Sequence, residues 1–284
     1  MSKKRRDGRL LLTIEPFNAL IPFIMKTKND ASNLFKDSVE ITEAERFLRQ
    51  KRKNGCPGIG FLHLFVAAYV RVIAEYPGIN RFVSGQRIYA RSNILFIMTA
   101  KKQLKADAPE TALKVVFDPH DTIDTVYAKL ESDIQKIKNN QSTESDDISG
   151  TLIKLPRLLL KFVIFILGLL DYFGKMPKSI LDMSPFHGSV AITDLGSIGL
   201  PPIYHHLYDF GNLPIFISFG AKRKISVADG ESSQQQKYID YSIVMDERIC
   251  DGFYFSQAFR LFKSILRNPQ LLDSPPEKVV RDID

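Results

Sequence analysis

The stretch from Tyr241 to Leu266 constrains this chain most. Tyr241 to Met245 is an alternating run and predicts a strand. Phe253 to Leu266 is amphipathic at helical spacing and predicts a helix. A short polar turn, Asp246-Glu247-Arg248-Ile249-Cys250-Asp251-Gly252, joins them. Asp251 stands where an N-cap would accept from the first free amides of that helix. Gly252 would permit a tight exit from the turn.

The same two patterns alternate along the rest of the chain. Ser38 to Ile41 predicts a short strand, and Thr42 with Glu45 has capping-box spacing, opening a helix to about Arg52. Phe61 to Tyr76 predicts a buried helix that Pro77-Gly78 ends. Ser84-Gly85 predicts a hairpin turn between Arg81–Val83 and Gln86–Ala90. Asn93 to Ala100 and Leu113 to Phe117 predict interior strands, followed by a helix from Asp121/Thr122 to about Asn139. Gly188–Asp194, Pro214–Gly220 and Tyr238–Asp246 complete the strands. Leu10 to Lys28, with Pro16 and Pro22, predicts little regular structure, and Asn140 to Gly150 an exposed polar loop. At least six strands and four or more helices, interleaved, place the chain in the α/β class.

No Gly/Ser- or Pro-rich linker divides the chain. The expectation is a basic disordered tail over 1–9 and one domain over 10–284, with a hydrophobic helical insertion at about 152–175. At 284 residues and 44% hydrophobic content, one large core is feasible. The net charge is +7, and the first nine residues hold five Lys/Arg and one Asp, so 5 − 1 = +4 of it lies there. Lys3-Lys4-Arg5-Arg6 reads either as a solvated tail or as an anchor to an anionic membrane surface. No basic surface interleaved with aromatics speaks for nucleic acid. Cys56 and Cys250 do not make a disulfide framework, and no secretory signal opens the sequence, so a reducing cytoplasm is expected. Neither cysteine has metal-ligand company, and no metal is expected.

Leu158 to Leu170 is apolar except for Lys161 and Gly168. As a helix its thirteen residues would span about 20 Å, short of the roughly 30 Å hydrocarbon core, so it does not cross a membrane. Three roles remain: a helix in the core or a subunit interface, a helix lying in a membrane interface, or a lid over an acyl-chain channel.

The Asp251-Gly252 end of the turn, in its strand–helix setting, resembles the His-x-x-x-Asp-Gly signature of the chloramphenicol acetyltransferase-like superfamily. Within it, the acyltransferase catalytic domains of 2-oxoacid dehydrogenase complexes are the nearest likeness. Thr193-Asp194-Leu195-Gly196 resembles their Ser-Asn-Leu-Gly stretch. The strand, charged helix and apolar helix ending in Tyr76-Pro77-Gly78-Ile79-Asn80 resemble their first half. The likeness covers roughly Val39 to Leu272, interrupted over 140–187. It implies a two-layer α/β sandwich with a mixed sheet flanked by helices, a homotrimer, and coenzyme A or acyl-coenzyme A. It also implies a site whose base comes from one subunit and whose remainder comes from the neighbour. Thr193 then takes the place of the hydroxyl that steadies the tetrahedral intermediate. Asp251 takes that of a structural aspartate paired with an arginine. The chain departs from the pattern where it matters most, since Glu247 stands in the place of the histidine base. It also shows no lipoyl domain and no subunit-binding domain, and a stand-alone module is expected.

Acyl transfer needs a base, donors to the oxyanion and a pocket that excludes bulk water. An unperturbed glutamate titrates near 4.3 and a histidine near 6.5, so a carboxylate is the weaker base toward a thiol near 8.5. Burial would raise it. His205-His206, in the loop Pro201–Asn212, offers another base. Adjacent histidines on an extended segment point to opposite sides and do not share a metal. His63 reads as a partly buried structural histidine, and His120 and His187 as loop residues with no visible role. Two functional readings follow. One is an acyltransferase with an altered or lost activity. The other is a non-catalytic trimeric scaffold, or a membrane-surface module, on the same fold.

Overall fold

The computed structural model describes residues 5–101, 110–138, 150–229 and 232–284. Its strands are β1 (Gly8–Leu10), β2 (Ser32–Glu40), β3 (Arg81–Ser84), β4 (Arg87–Arg91), β5 (Ile94–Lys101), β6 (Glu110–Phe117), β7 (Val190–Asp194), β8 (Ile215–Asp229) and β9 (Ser232–Asp246). Its helices are α1 (Pro16–Ile24), α2 (Thr42–Lys53), α3 (Phe61–Glu75), α4 (Ile123–Lys138), α5 (Arg157–Tyr172), α6 (Lys178–Met183) and α7 (Gly252–Arg267). A six-stranded sheet runs in the order β2-β9-β8-β7-β5-β6, and a three-stranded sheet in the order β1-β4-β3. The larger sheet is mixed: β7 runs parallel to both β5 and β8, and the other pairs are antiparallel.

One face of that sheet supplies Phe96, Val115, Ile192, Ile217, Phe219 and Ile243 to the main core, where α2, α3, α4 and α7 cover it. Aromatic packing fixes their depth. Phe65 of α3 stacks on Phe219 with ring centroids 4.3 Å apart, and the edge of Phe262 of α7 meets it at 5.6 Å. On the other face, among the described residues, Ile97, Ala191 and Leu213 form a small apolar cluster with Phe216 packed against it. Over it lies the segment after β7, tied down at Ile203. The Ile203 amide donates to Ser218 Oγ at 3.0 Å, and the hydroxyls of Ser218 and Ser242 both donate to the Ile203 carbonyl.

Several local expectations are corrected. Leu10–Lys28 contains α1, started by Pro16 at a position where a missing amide is harmless. Thr42 is the first helical residue rather than the cap, and its hydroxyl donates to Glu40. Glu45 does not close a capping box; it pairs with Lys222 and Lys237, each at 2.7 Å. The hairpin turns on Gly85 and Gln86, with φ of 55° and 58°, one residue later than expected. The β8–β9 hairpin is far longer than the runs 214–220 and 238–246, because its distal half is mostly polar in sequence and gives no strong strand signal. The tail read over 1–9 is drawn into the structure from Arg5 onward, and β1 pairs Gly8–Leu10 with β4. The polar loop expected over 140–150 lies outside the described residues except at Gly150.

Candidate functional site

The turn after β9 is built around an ion pair. Arg248 Nε donates to Asp246 Oδ1 at 2.8 Å and its Nη2 to Oδ2 at 2.7 Å, with both side chains buried. The Arg248 amide also donates to Asp246 Oδ1. Glu247 sits at the apex, its own amide donating to the Ala31 carbonyl at 2.8 Å. Its carboxylate is half-buried and makes no hydrogen bond or ion pair among the described residues. Asp251 caps α7, its Oδ1 accepting from the Tyr254 amide at 2.9 Å. No arginine pairs with it among the described residues; Arg81, packed against the same turn, binds both carboxylate oxygens of Asp282 and the Ile249 carbonyl. Gly252 has no positive φ, and a Cβ there would meet nothing within 4 Å, so the exit into α7 does not require glycine.

Thr193 ends β7 on the second face of the sheet. Its hydroxyl, like the Glu247 carboxylate, has no partner among the described residues. The turn that follows is tightly built. Asp194 Oδ1 accepts from the Ser197 amide at 2.9 Å, and burial pushes the Asp194 carboxyl up from its ordinary range. Glycine is needed at 196, where a Cβ would lie 2.6 Å from the Gly220 carbonyl oxygen.

One chain does not bring these groups together. Thr193 stands opposite Ser218, Ser218 opposite Ser242, and Glu247 lies five residues beyond Ser242. Strand rise and spacing then separate Thr193 from Glu247 by roughly 19 Å. His205 lies nearer the threonine. Its ring stacks on Phe216 at 4.2 Å, and Phe216 is a diagonal neighbour of Thr193 across β7 and β8. His205 Nε2 is buried without a partner among the described residues, and burial, then His206, lowers its affinity for a proton. His206 is exposed. His63 is structural: its Nδ1 accepts from the Gly60 amide at 3.1 Å. His187 is not an idle loop residue. It is fully buried, with Nδ1 2.7 Å from Ser184 Oγ and Nε2 3.6 Å from Asp171 Oδ1.

Sequence reasoning passed over Asp246 and Arg248, although an Asp-x-Arg at the end of an otherwise apolar strand is a visible signal. It did not foresee the pairing of Arg5 with Asp171, two residues distant in sequence with no local mark of their contact. No group of acidic, histidine or cysteine side chains that could hold a metal occurs among the described residues.

Solved structures share this arrangement of sheet and helices. A probable dihydrolipoamide acetyltransferase from Listeria monocytogenes matches with a TM-score of 0.57 and 13% identity, over 90% of this chain and 94% of that one. A chloramphenicol acetyltransferase matches at 0.55 and 13%, over 90% and 100%. The dihydrolipoamide acetyltransferase of Azotobacter vinelandii, studied for a serine, a histidine and an asparagine in its catalytic mechanism, matches at 0.54 and 15%, over 92% and 93%. The chain has the chloramphenicol acetyltransferase-like fold. At these identities the likeness establishes the acyltransferase-type fold alone. No family model and no curated protein matches the sequence. Against that fold, Glu247 is the residue that closes the β9 strand–turn, and Thr193 is the hydroxyl at the end of β7.

Proposed function

We propose that the protein is a coenzyme A-dependent acyltransferase of the 2-oxoacid dehydrogenase type with an altered site, in which a carboxylate has taken the place of the base. The observation that carries this reading is the pair of unpartnered groups, the Thr193 hydroxyl and the Glu247 carboxylate, held at opposite ends of one sheet. Separated within a chain, they meet only if a neighbouring subunit supplies one of them, and a homotrimer is the assembly proposed. The histidine and asparagine of the Azotobacter protein stand four positions apart, the spacing of Glu247 and Asp251. In this reading acyl-coenzyme A is the substrate and no metal takes part. Thr193 donates to the oxyanion, Glu247 receives the acceptor's proton, and Asp251 holds the turn by capping α7. A carboxylate is ordinarily a weaker base than an imidazole by about two pKa units, so transfer to a thiol is slow or lost. The location is cytoplasmic.

The test is a thiol-release assay with short acyl-coenzyme A donors and dihydrolipoamide, on wild type, Glu247→Ala and Glu247→His. Little wild-type turnover and a gain in Glu247→His are expected. Rapid wild-type turnover that Glu247→Ala leaves intact would remove Glu247 from the site.

A second reading, a non-catalytic trimeric scaffold or peripheral membrane module on the same fold, is favoured by α5. This helix is apolar on most sides, yet Asp171 is its only buried residue.

A further inference from the structure

A helix that is apolar nearly all round is normally buried. In this chain α5 is not. Leu158, Phe162, Phe165, Leu169 and Tyr172 share its outward face, with Leu158 81%, Phe162 59% and Phe165 64% exposed. The placement rules out the core as the home of this segment. No helix among the described residues is long and apolar enough to cross a membrane.

The charges around α5 point to one kind of cover. Between residues 150 and 183, Lys154, Arg157, Lys161, Lys175 and Lys178 are exposed, whereas Asp182 is the one exposed acid. Asp171, the other acid of this segment, is already engaged. Arg5 Nη2 donates to Asp171 Oδ1 at 2.6 Å and Nη1 to the Asp171 carbonyl at 2.7 Å, with Arg5 buried. Arg5 belongs to the run Lys3-Lys4-Arg5-Arg6, and Arg6 is exposed. The buried pair therefore holds Arg5, with Arg6 next to it, at the C-terminal turn of the apolar helix. A third component lies alongside. A cleft of about 430 Å³ runs between Lys26, Lys28, Gly168, Asp171 and Tyr172, so the end of α1 adjoins the end of α5. In α1, Phe17, Leu20, Phe23 and Ile24 are exposed.

We infer that α5, α1 and the exposed Arg6, beside the buried Arg5–Asp171 pair, form one face that docks on a bilayer of anionic phospholipid. An exposed apolar helix and a cluster of exposed basic side chains are each weak membrane signals, and together they favour attachment to an anionic surface. This deepens the second reading above and rests on it, so the outcome of the thiol assay does not bear on it.

The experiment is co-sedimentation of the full chain with vesicles of phosphatidylcholine alone and of equal parts phosphatidylcholine and phosphatidylglycerol. Binding to the anionic vesicles that weakens with salt is expected. Phe162→Asp with Phe165→Asp should abolish it, and because both side chains are exposed the fold should survive, as circular dichroism would verify. Arg6→Glu and Lys161→Glu should each weaken binding, by roughly fivefold for each positive charge lost. Absence of binding at low salt, equal binding to neutral vesicles, or persistence in the Phe pair would overturn the inference. Light scattering on lipid-free protein covers the remaining occupant: an oligomer that dissociates in the Phe pair would assign this face to a second copy instead.

Discussion

Arg248 grips Asp246 through two parallel hydrogen bonds of 2.8 and 2.7 Å, deep at the junction of β9 and its turn. The same guanidinium reaches the Met25 and Lys26 carbonyls at 3.2 and 3.4 Å. One side chain thus shapes the turn bearing Glu247 and fastens the segment after α1 to it. Asp246→Ala would leave a buried guanidinium without its counter-charge, a loss of about 3–5 kcal/mol. Urea unfolding should show that drop. The double variant Asp246→Ala with Arg248→Met should recover much of it, because the unpaired charge is gone.

Burial is the main cause that pushes the His63 imidazole down from 6.5 to about 4. Its proton affinity is lower in the folded chain than in the unfolded one. Between about 6.5 and 4 the unfolded chain therefore binds the extra proton, and stability falls as pH falls through that window. The contribution is on the order of 3 kcal/mol across the window. Unfolding free energy measured from neutral pH down to about pH 4 should decline, and His63→Gln should flatten the decline. An unchanged slope in the variant would move the effect to other groups.

Much of the fold was legible because burial writes a period into sequence. Phe61–Tyr76, Asn93–Ala100 and the strand–turn–helix after Tyr241 are long, one-sided or wholly apolar, and each forms the expected element. The distal β8–β9 hairpin was not legible, since Lys222 to Lys224 and Gln234 to Gln236 are polar runs that carry no alternating pattern. Pro16 and Pro22 hid α1, although one starts a helix and the other lies inside it. At the candidate site, Glu247, Thr193 and Asp251 were singled out by motif. What each touches was not found, because Asp246–Arg248, Arg81–Asp282 and Arg5–Asp171 are contacts that no local pattern encodes.

Asp251→Ala separates a capping role from an active one. The carboxylate accepts from the Tyr254 amide and binds no arginine among the described residues, so its loss should cost about 1 kcal/mol of stability. Asp251→Asn, which keeps an acceptor, should cost only a fraction of that. In a Glu247→His background, turnover per folded molecule should be nearly the same with either residue at 251. A large drop in turnover for a folded Asp251→Asn protein would show the charge acting at the site itself.

The separation of roughly 19 Å between Thr193 and Glu247 within one chain makes the strongest demand on assembly. If the site is shared, a histidine at 247 must act with a threonine from the neighbouring subunit. Wild-type chains carry Thr193 but not the histidine. Glu247→His combined with Thr193→Ala carries the histidine but not the hydroxyl. Neither assembly alone should transfer acyl groups well. Co-refolding the two in equal parts should restore turnover, because histidine from one chain then faces threonine from another. With random mixing in a cyclic trimer, about a quarter of the interfaces are productive, so activity should reach about a quarter of that of Glu247→His alone. The thiol-release assay on the mixture reads this directly, and light scattering checks that mixed trimers formed. If Glu247→His is active while the mixed trimers stay as silent as their parents, the two residues do not share a site across subunits. Turnover retained in the Glu247→His, Thr193→Ala double variant would instead free the hydroxyl of any part in the reaction.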